Sequence, residues 1–292
     1  MREGQKSLAT FPSTNRILDL LREVRAVFIK DVRVYLRYPS WIVSEFITLP
    51  AWFVLFAVGV AANFVQKGTV TSTLGSASTF SFYYWGFVFL IVFSTSIWGI
   101  GQYIRTEQLQ GTLEQLFLAP ISRVNIILGR FARTFFTDIA IIGYTVLLVG
   151  VLSHEPIFIL NPLLFALIFA FLELAVLGFG LVFAAVTFRV KSFNILANLT
   201  QFLVIGLCGV FFPLSILPGE VRAVSLAIPF TYFADLLRYA AYGTAVDKFT
   251  ILDPSLELPL AMALSVGTFV IGFLFFRRTE RFAQRRGLIG TH

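Results

Sequence analysis

Two carboxylates interrupt long apolar stretches of the sequence, where acidic side chains are rare and often have a function. Asp138 and Glu173 each lie in a run of apolar residues long enough to cross a lipid bilayer. An ionised side chain at the bilayer centre costs about 2.5 to 3.5 kcal/mol, so each carboxylate should face protein or water. At such a place a carboxylate could bind a cation or carry a proton.

A structural role competes with that interpretation. Asp138 is expected to accept a hydrogen bond from a neighbouring helix or to pair with Arg130 or Arg133, which precede it in the same stretch. Glu173 has no cation in its own stretch. Both interpretations of Glu173 therefore stay open.

Other kinds of chemistry have little support. The two histidines, His154 and His292, and the single cysteine, Cys208, offer neither a metal site nor an internal disulfide. The sequence contains no G-x-x-x-x-G-K-[ST] motif, the loop that binds nucleotide phosphates. We therefore expect no catalytic residue, metal or cofactor in this chain.

The composition is typical of a membrane protein. Of the 292 residues, 57% are hydrophobic and only 13% are charged, whereas about a quarter of the residues of soluble domains are charged. The mean hydropathy is +0.83. These values exclude an ordinary soluble enzyme.

Six stretches are apolar over the roughly 20 residues that a helix needs to cross a bilayer. They are 41–65, 80–104, 125–152, 162–188, 193–216 and 256–276. We predict an all-α integral membrane protein with six transmembrane helices. Most of its 34 phenylalanines are expected to face lipid.

The positive charges indicate how these helices are oriented. The net charge of +7 could suggest nucleic acid, but nearly all of the 23 Lys and Arg residues fall on one side of the predicted spans. By the positive-inside rule that side, with both termini, is cytoplasmic. We therefore expect a multi-pass protein of the cytoplasmic membrane with a lipid bilayer, and no nucleic acid, as its partner. The four Lys and Arg residues on the other side of the predicted spans are Lys67, Arg222, Arg238 and Lys248.

The segment before the first span has helical periodicity. Between residues 16 and 37, apolar residues recur at three- and four-residue spacing, with cations on other faces. We predict an amphipathic helix in the inner membrane interface, which either anchors the topology or transmits motion. Pro39 should end it. The domains are then a cytoplasmic N-terminus with this helix, a transmembrane domain and a basic cytoplasmic tail, over 1–40, 41–276 and 277–292.

A short cytoplasmic helix is predicted between the second and third spans, at about 105–120. Leucines recur there at helical spacing, and Glu107 and Glu114, seven residues apart, share one face. Pro120 should end the helix. Because this helix is joined to two spans, a protein that grips it could move both.

The external connection at about 217–245 is predicted to form short re-entrant helices before the last span. Its apolar run is too short to cross the bilayer, and Pro213, Pro218 and Pro229 interrupt the backbone. Irregular backbone near membrane depth requires cover by protein or a water-filled cavity, so this region should cap an internal path.

The fifth predicted span is the candidate lining of that path, because its inner half is the most polar of the spans. Its outer half contains glycines beside several phenylalanines. The candidate path residues are Glu173, Asn198, Gln201, Phe202, Phe211 and Phe212.

Two groups of residues carry a family resemblance. The cytoplasmic group is Glu107, Gly111, Thr112, Leu113, Glu114, Leu116 and Pro120. The external group is Pro213, Pro218, Pro229, Tyr232, Arg238 and Gly243. In this order, and with six spans, they resemble the E-x-x-x-G-T-L-E-x-L-x-x-x-P and external segments of the ABC-2 membrane permeases, the transmembrane halves of type 2 ABC exporters.

The resemblance implies a transport subunit that is not itself an enzyme. The 107–120 helix would dock in a separate ATP-binding subunit, present in two copies, which holds ATP and Mg. A second permease chain, identical or related, would complete the path. The substrate would be an amphipathic or lipid-linked molecule such as a drug, a lipid or a glycan.

An ion-coupled secondary transporter or channel is the alternative. It would use Glu173 and Asp138 as a relay of membrane carboxylates. Such proteins usually contain internal repeats, and the sequence has no convincing repeat.

Overall fold

The chain is helical throughout the part that the computed structural model describes, which comprises residues 16–60, 76–103, 122–153, 159–187, 193–212, 214, 217–243 and 251–286. Within these residues there is no strand. A π-helical turn, Ile97–Gly101, continues α3. The helices are α1 (Arg16–Arg37), α2 (Pro39–Val60), α3 (Ser76–Ser96), α4 (Arg123–Ser153), α5 (Pro162–Thr187), α6 (Phe193–Leu207), α7 (Gly219–Leu226), α8 (Pro229–Tyr242) and α9 (Pro254–Arg286).

Four of these helices are long and apolar enough to cross a membrane. α6 is apolar but shorter, over Phe193–Leu207, and the apolar segment counted within α2, Pro39–Leu55, is also shorter. The prediction of an all-helical, multi-pass membrane protein is confirmed, whereas the count of six spans stays a prediction. The four long segments are Phe82–Gly101, Arg123–Val151, Pro162–Thr187 and Pro254–Phe282, with 20, 29, 26 and 29 residues.

α6 is shorter than the predicted fifth span, which extended to residue 216. The helix has 15 residues and ends at Leu207. Gly209 follows with a φ of 63°, a left-handed conformation that glycine adopts at little cost and that commonly ends helices. The predicted length was wrong because apolar composition continues past this glycine although the helix does not.

α1 begins and ends as predicted, and it packs along the first turns of α4. A Cβ added to Gly129 would come within 2.6 Å of the Val27 Cβ, so the glycine allows the two helices to approach closely. The Asn125 amide also donates a hydrogen bond to Glu23 Oε2 at 2.7 Å. α1 and α4 are therefore firmly joined, while the placement of α1 in a membrane interface stays a prediction.

α3 forms the centre of the core. Residues 82–89 are all buried, and α2, α4, α5 and α8 pack against this helix. The expectation that most phenylalanines face lipid is wrong for the described residues, because most of them fill the space between helices. Large side chains that are fully buried include Trp85, Tyr84, Phe53, Phe82, Phe89 and Phe93.

The N-terminal ends of α5 and α9 are capped by the side chains that directly precede Pro162 and Pro254, the first residues of these helices. Asn161 Oδ1 accepts a hydrogen bond from the Leu164 N–H at 3.0 Å and caps α5. Asp253 Oδ1 accepts bonds from the Ser255 hydroxyl and N–H at 2.6 and 2.9 Å, at the start of α9. These two bonds hold the pKa of Asp253 below its usual value.

α5 and α9 cross at two glycines. A Cβ on Gly272 would lie 2.0 Å from the Gly178 carbonyl oxygen, and a Cβ on Gly178 would lie 2.5 Å from the Phe269 Cα. Small residues allow such backbone contact, which is a common basis of helix association in membranes. The Ser265 hydroxyl adds a hydrogen bond to the Phe171 carbonyl at 2.6 Å.

Gly272→Ala should destabilise the protein, because the added methyl group would push α9 away from the backbone of α5. The expected loss is about 1 to 3 kcal/mol, the usual cost of overpacking. The midpoint of unfolding in detergent measures it.

Gly267→Ala is the matched control, since a Cβ at Gly267 would meet nothing within 4 Å. It lies on the same helix and should leave the midpoint unchanged or raise it slightly, because alanine favours helix more than glycine does. Equal midpoints for the two variants would show that the crossing is not as close as described.

Candidate functional site

The predicted cytoplasmic helix lies outside the described residues. Its candidate residues, from Glu107 through Gly111, Thr112, Leu113, Glu114 and Leu116 to Pro120, all fall in 104–121. The structure does describe the elements on both sides, which are the π-helical turn after α3 and the start of α4. These elements decide what the segment would move.

Arg130 of α4 joins the helices that flank this segment. Its Nε donates a hydrogen bond to the Gly99 carbonyl at 3.0 Å, in the π-helical turn. Its guanidinium lies 4.3 Å from the ring centroid of Tyr103, within reach of a cation–π attraction. Nη1 also lies 3.9 Å from Asp31 Oδ2 of α1. One side chain therefore links α1, α3 and α4.

α6 presents two different faces. Gln201 bonds inward, because its Oε1 accepts from Trp98 Nε1 at 3.2 Å and its Nε2 donates to the Ser94 hydroxyl. Asn198 and Phe202 face outward, and Phe202 is 72% exposed. The candidate path residues of this helix are therefore divided between the core and the outer surface.

The remaining candidate path residues lie elsewhere. Glu173 of α5 is buried, and neither of its carboxylate oxygens has a hydrogen-bond partner among the described residues. Phe211 packs against the aromatic core, and Phe212 borders a small void beside Arg238. The described part of a single chain does not bring the candidate path residues into one pocket.

Asp138 is held by a neighbouring helix. Thr95 Oγ1 of α3 donates a hydrogen bond to Asp138 Oδ2 at 2.9 Å, and the aspartate is fully buried. This confirms the predicted interhelical hydrogen bond. The other oxygen, Oδ1, has no hydrogen-bond partner in the part of the chain that the structure describes.

Arg238 is the centre of the external group. It lies on α8, is 4% exposed, and donates to three backbone carbonyls, those of Phe82, Gly209 and Val210, at 3.2, 2.9 and 2.5 Å. Its guanidinium also lies 3.6 Å from the ring centroid of Phe82. Gly209 and Val210 belong to the turn that follows α6, so Arg238 satisfies carbonyls of buried backbone outside the helix.

Gly86 makes this arrangement possible. A Cβ at this position would lie 1.8 Å from the Val210 carbonyl oxygen and 2.9 Å from Arg238 Nη2. Any larger side chain would separate the turn after α6 from α3. The close approach of α3, the turn and Arg238 therefore requires glycine, which has no side chain, at position 86.

The other external residues shape the helices around Arg238. Pro218 and Pro229 stand at the starts of α7 and α8, and the Tyr232 hydroxyl donates to the Leu226 carbonyl at 2.8 Å, which ties α8 to α7. Gly243 ends α8 with a φ of 59°. Pro213 lies outside the described residues.

Asp235 connects α8 to the segment before α9. Its Oδ2 accepts the Ile251 N–H at 2.8 Å, and its carboxyl group also bonds to Glu257. Burial raises the pKa of Asp235, and the bond from Ile251 and the charge of Arg238 partly oppose that rise. Around Arg238 and Asp235, α3, the turn after α6, α8 and the start of α9 thus meet in one polar cluster, which we call the Arg238 cluster.

The comparison with known families decides the identity. The profile of the family described as ABC-2 type transporter matches residues 22–242. The chain belongs to the ABC-2 type transporter family. No curated protein matches the chain.

The ABC-2 match begins within α1 and ends at the last residue of α8. It therefore includes the helix that packs on α4, the segment predicted to couple the spans, and Arg238 with its three carbonyl partners. α9 follows the matched region and meets it through the glycine crossing with α5.

Several residues of these sites were not predicted from the sequence. Trp98, Ser94 and Thr95 contact partners that lie between 43 and 107 residues away along the chain. Asp235 bonds to a backbone N–H 16 residues away. Their amino-acid types are common in apolar helices, so periodicity carries no information about these pairs.

Arg238→Lys should loosen the turn after α6, because an ammonium group cannot reproduce a planar fork directed at three carbonyls. Cys208, the single cysteine of the chain, lies in this turn and is 1% exposed. We expect maleimide to label Cys208 about tenfold faster in the variant, which corresponds to an opening free energy lower by about 1.4 kcal/mol.

Arg222→Lys is the matched control, since Arg222 is exposed on α7. It should label at the rate of the unchanged protein. Slow labelling of both variants would mean that Arg238 does not hold the turn closed.

Proposed function

We propose that the chain is the permease subunit of an ATP-driven exporter that moves an amphipathic or lipid-linked substrate, such as a drug, a lipid or a glycan, across the cytoplasmic membrane. The observation that carries this proposal is the ABC-2 match over residues 22–242. Four long apolar helices support a membrane path. Because the sequence has no phosphate-binding loop, ATP and Mg would bind to a separate subunit.

The proposed topology has six spans, in which α2 and α6 join the four long helices. α1 would lie in the inner interface, with both termini in the cytoplasm, as the distribution of Lys and Arg favours. α7 and α8, with 8 and 14 residues, are too short to cross and would form the external re-entrant pair. The Arg238 cluster would then close the outer end of the path.

Coupling would pass through the 105–120 segment. Two ATP-binding subunits that close on ATP would move this segment, and the contacts of Arg130 with Gly99 and Tyr103 would carry the movement into α3 and α4 together. The spans would then change between inward-open and outward-open states, an equilibrium that nucleotide biases.

A second permease chain, identical or related, would cover the outer face of α6. This face is apolar, with Ile195, Leu199 and Phe202 exposed by 71%, 55% and 72%. Asn198 is exposed among them. A polar side chain on an apolar membrane helix is better accommodated by a protein partner or a water-filled path than by lipid.

Ion-coupled transport is a second candidate function, favoured by Glu173 alone. Its buried carboxylate has no hydrogen-bond partner among the described residues, and an ionisable group inside a membrane span is a candidate proton carrier. The ABC-2 match favours the first function, since this family comprises the membrane subunits of ABC transporters.

The chain should copurify with an ATP-hydrolysing subunit when it is extracted gently from its native membrane. Two such subunits for every two permease chains are expected, and mass measurement of the intact complex tests this ratio. Transport by the purified chain alone, driven by a pH gradient without ATP, would contradict the proposal and support the ion-coupled function.

Glu114→Arg should abolish substrate-stimulated ATP hydrolysis by the reconstituted complex while leaving membrane insertion intact. The reason is that Glu107 and Glu114 share the face of the segment that would dock in the ATP-binding subunit. Stimulated and basal ATPase rates, measured in the same vesicles, give the comparison.

Gln115→Arg is the control, because the next residue along a helix points about 100° away from the docking face. It introduces the same side chain and should retain stimulation. Full stimulation in the Glu114→Arg complex would rule out docking through this face.

A further inference from the structure

A cleft of about 410 Å³ lies between α2, α3 and α4. This volume falls within the range of small-molecule sites, about 300 to 1,000 Å³. The cleft contains both signs of charge together with hydroxyl groups, whereas the surrounding helices are apolar. The charged residues of its lining are Glu45, Arg133 and Asp138, and the hydroxyl groups include Thr48, Thr95 and Thr137.

Asp138 is the residue of the cleft that most needs a partner. One of its oxygens accepts the Thr95 hydroxyl hydrogen, and the other has no hydrogen-bond partner among the described residues although the side chain is fully buried. A buried acceptor without a donor is costly, and the cost is larger when the acceptor is charged. A ligand with a protonated amine would supply both N–H donors and a compensating charge.

Tyr35 of α1 contacts the other two charged residues of the cleft, Glu45 and Arg133. Its hydroxyl donates to Glu45 Oε2, and the Arg133 guanidinium lies 4.9 Å from the centroid of its ring. Glu45, Arg133 and Asp138 together give the cleft one formal positive and two formal negative charges. A guanidinium that rests on a ring has its N–H groups in its own plane, where they are suited to a phosphate.

We propose that this cleft binds the zwitterionic headgroup of an amphiphile, with a protonated amine at Asp138 and a phosphate at Arg133. The Thr95 hydroxyl donates its hydrogen to Asp138 and the Thr137 hydroxyl donates its own to the Arg133 carbonyl, so both oxygens would accept hydrogen bonds from the amine. Trp98 and Ile141, which also line the cleft, would contact its carbon atoms. The site lies within one chain and needs neither a second permease nor an ATP-binding subunit.

The test is a comparison of three lipids with the same acyl chains, by native mass spectrometry of the purified chain in detergent. Phosphatidylethanolamine has a primary amine and a phosphate, phosphatidylcholine has a quaternary amine without N–H donors, and phosphatidylglycerol has the phosphate alone. The expected order of affinity is ethanolamine, then choline, then glycerol, with at least a fivefold difference between the first and the last.

Variants separate the two charges. Asp138→Asn should lower phosphatidylethanolamine binding at least fivefold and leave phosphatidylglycerol binding unchanged, because only the amine contact is lost. Arg133→Gln should weaken all three lipids. Asp253→Asn is the control, since Asp253 lies outside the cleft and asparagine can also cap α9. Thr48→Phe fills the cleft without changing its charges and should weaken all three lipids, which keeps the test decisive if the charge variants fold poorly.

Free phosphoethanolamine identifies the source of the headgroup. Competition by this soluble molecule would mean that the headgroup alone is bound, and no competition would mean that a lipid is needed. Equal affinity for the three lipids, or unchanged phosphatidylethanolamine binding in Asp138→Asn, would overturn the site. Either result would leave the proposed permease function standing, because the measurement contains no ATP and no partner subunit.

Discussion

A backbone carbonyl that leaves a helix in an apolar environment has no water to bind, and this constraint governs the irregular parts of the chain. α6 ends in the core, and Arg238 donates to the carbonyls of Gly209 and Val210 in the turn that follows it. A π-helical turn follows α3, and Arg130 donates to the Gly99 carbonyl there. Each guanidinium also rests near an aromatic ring, which favours a cation away from water.

These two arginines act at opposite ends of α3. Arg238 bonds to the carbonyl of Phe82 and Arg130 to that of Gly99, which are roughly 25 Å apart along a helix at 1.5 Å per residue. Between them α3 is buried on nearly every side. A displacement applied next to Tyr103 would therefore reach the Arg238 cluster through a packed helix, which is the kind of rigid element that two-state transitions use.

The sequence predicts local features of this fold well. The limits of α1 follow from the spacing of its apolar residues and from Pro39, and α8 begins at Pro229 because proline suits the first turn of a helix. The length of α6 could not be predicted, since its C-terminal end depends on Gly209 and on the guanidinium of Arg238, which lies 29 residues further along the chain. Composition also could not distinguish phenylalanines that face lipid from those that fill the core.

For the candidate site, the sequence indicates which residue types matter but not which ones meet. Asp138 and Glu173 were singled out by the same argument, namely a carboxylate in an apolar stretch. The structure shows that their hydrogen bonding differs, because Thr95 of a distant segment donates to Asp138, whereas no described residue bonds to Glu173. Gln201 likewise bonds inward to Trp98, whereas Asn198, three residues earlier on the same helix, faces outward. Such differences arise from the packing of helices, which periodicity within one helix does not describe.

The position of Tyr35 connects the cleft to the proposed transport cycle. Tyr35 lies near the end of α1, and it contacts Glu45 of α2 and Arg133 of α4. α1 is joined to α4 through Val27 and Gly129, so these elements should move together. A movement of α1 and α4 relative to α2 would change the separation of the two charges.

By linkage, a headgroup that binds better in one arrangement would shift the equilibrium towards it to the same extent that the arrangement improves its binding. Occupancy of the cleft and the nucleotide state of the partner subunit would then influence each other, with no direct contact between the two sites.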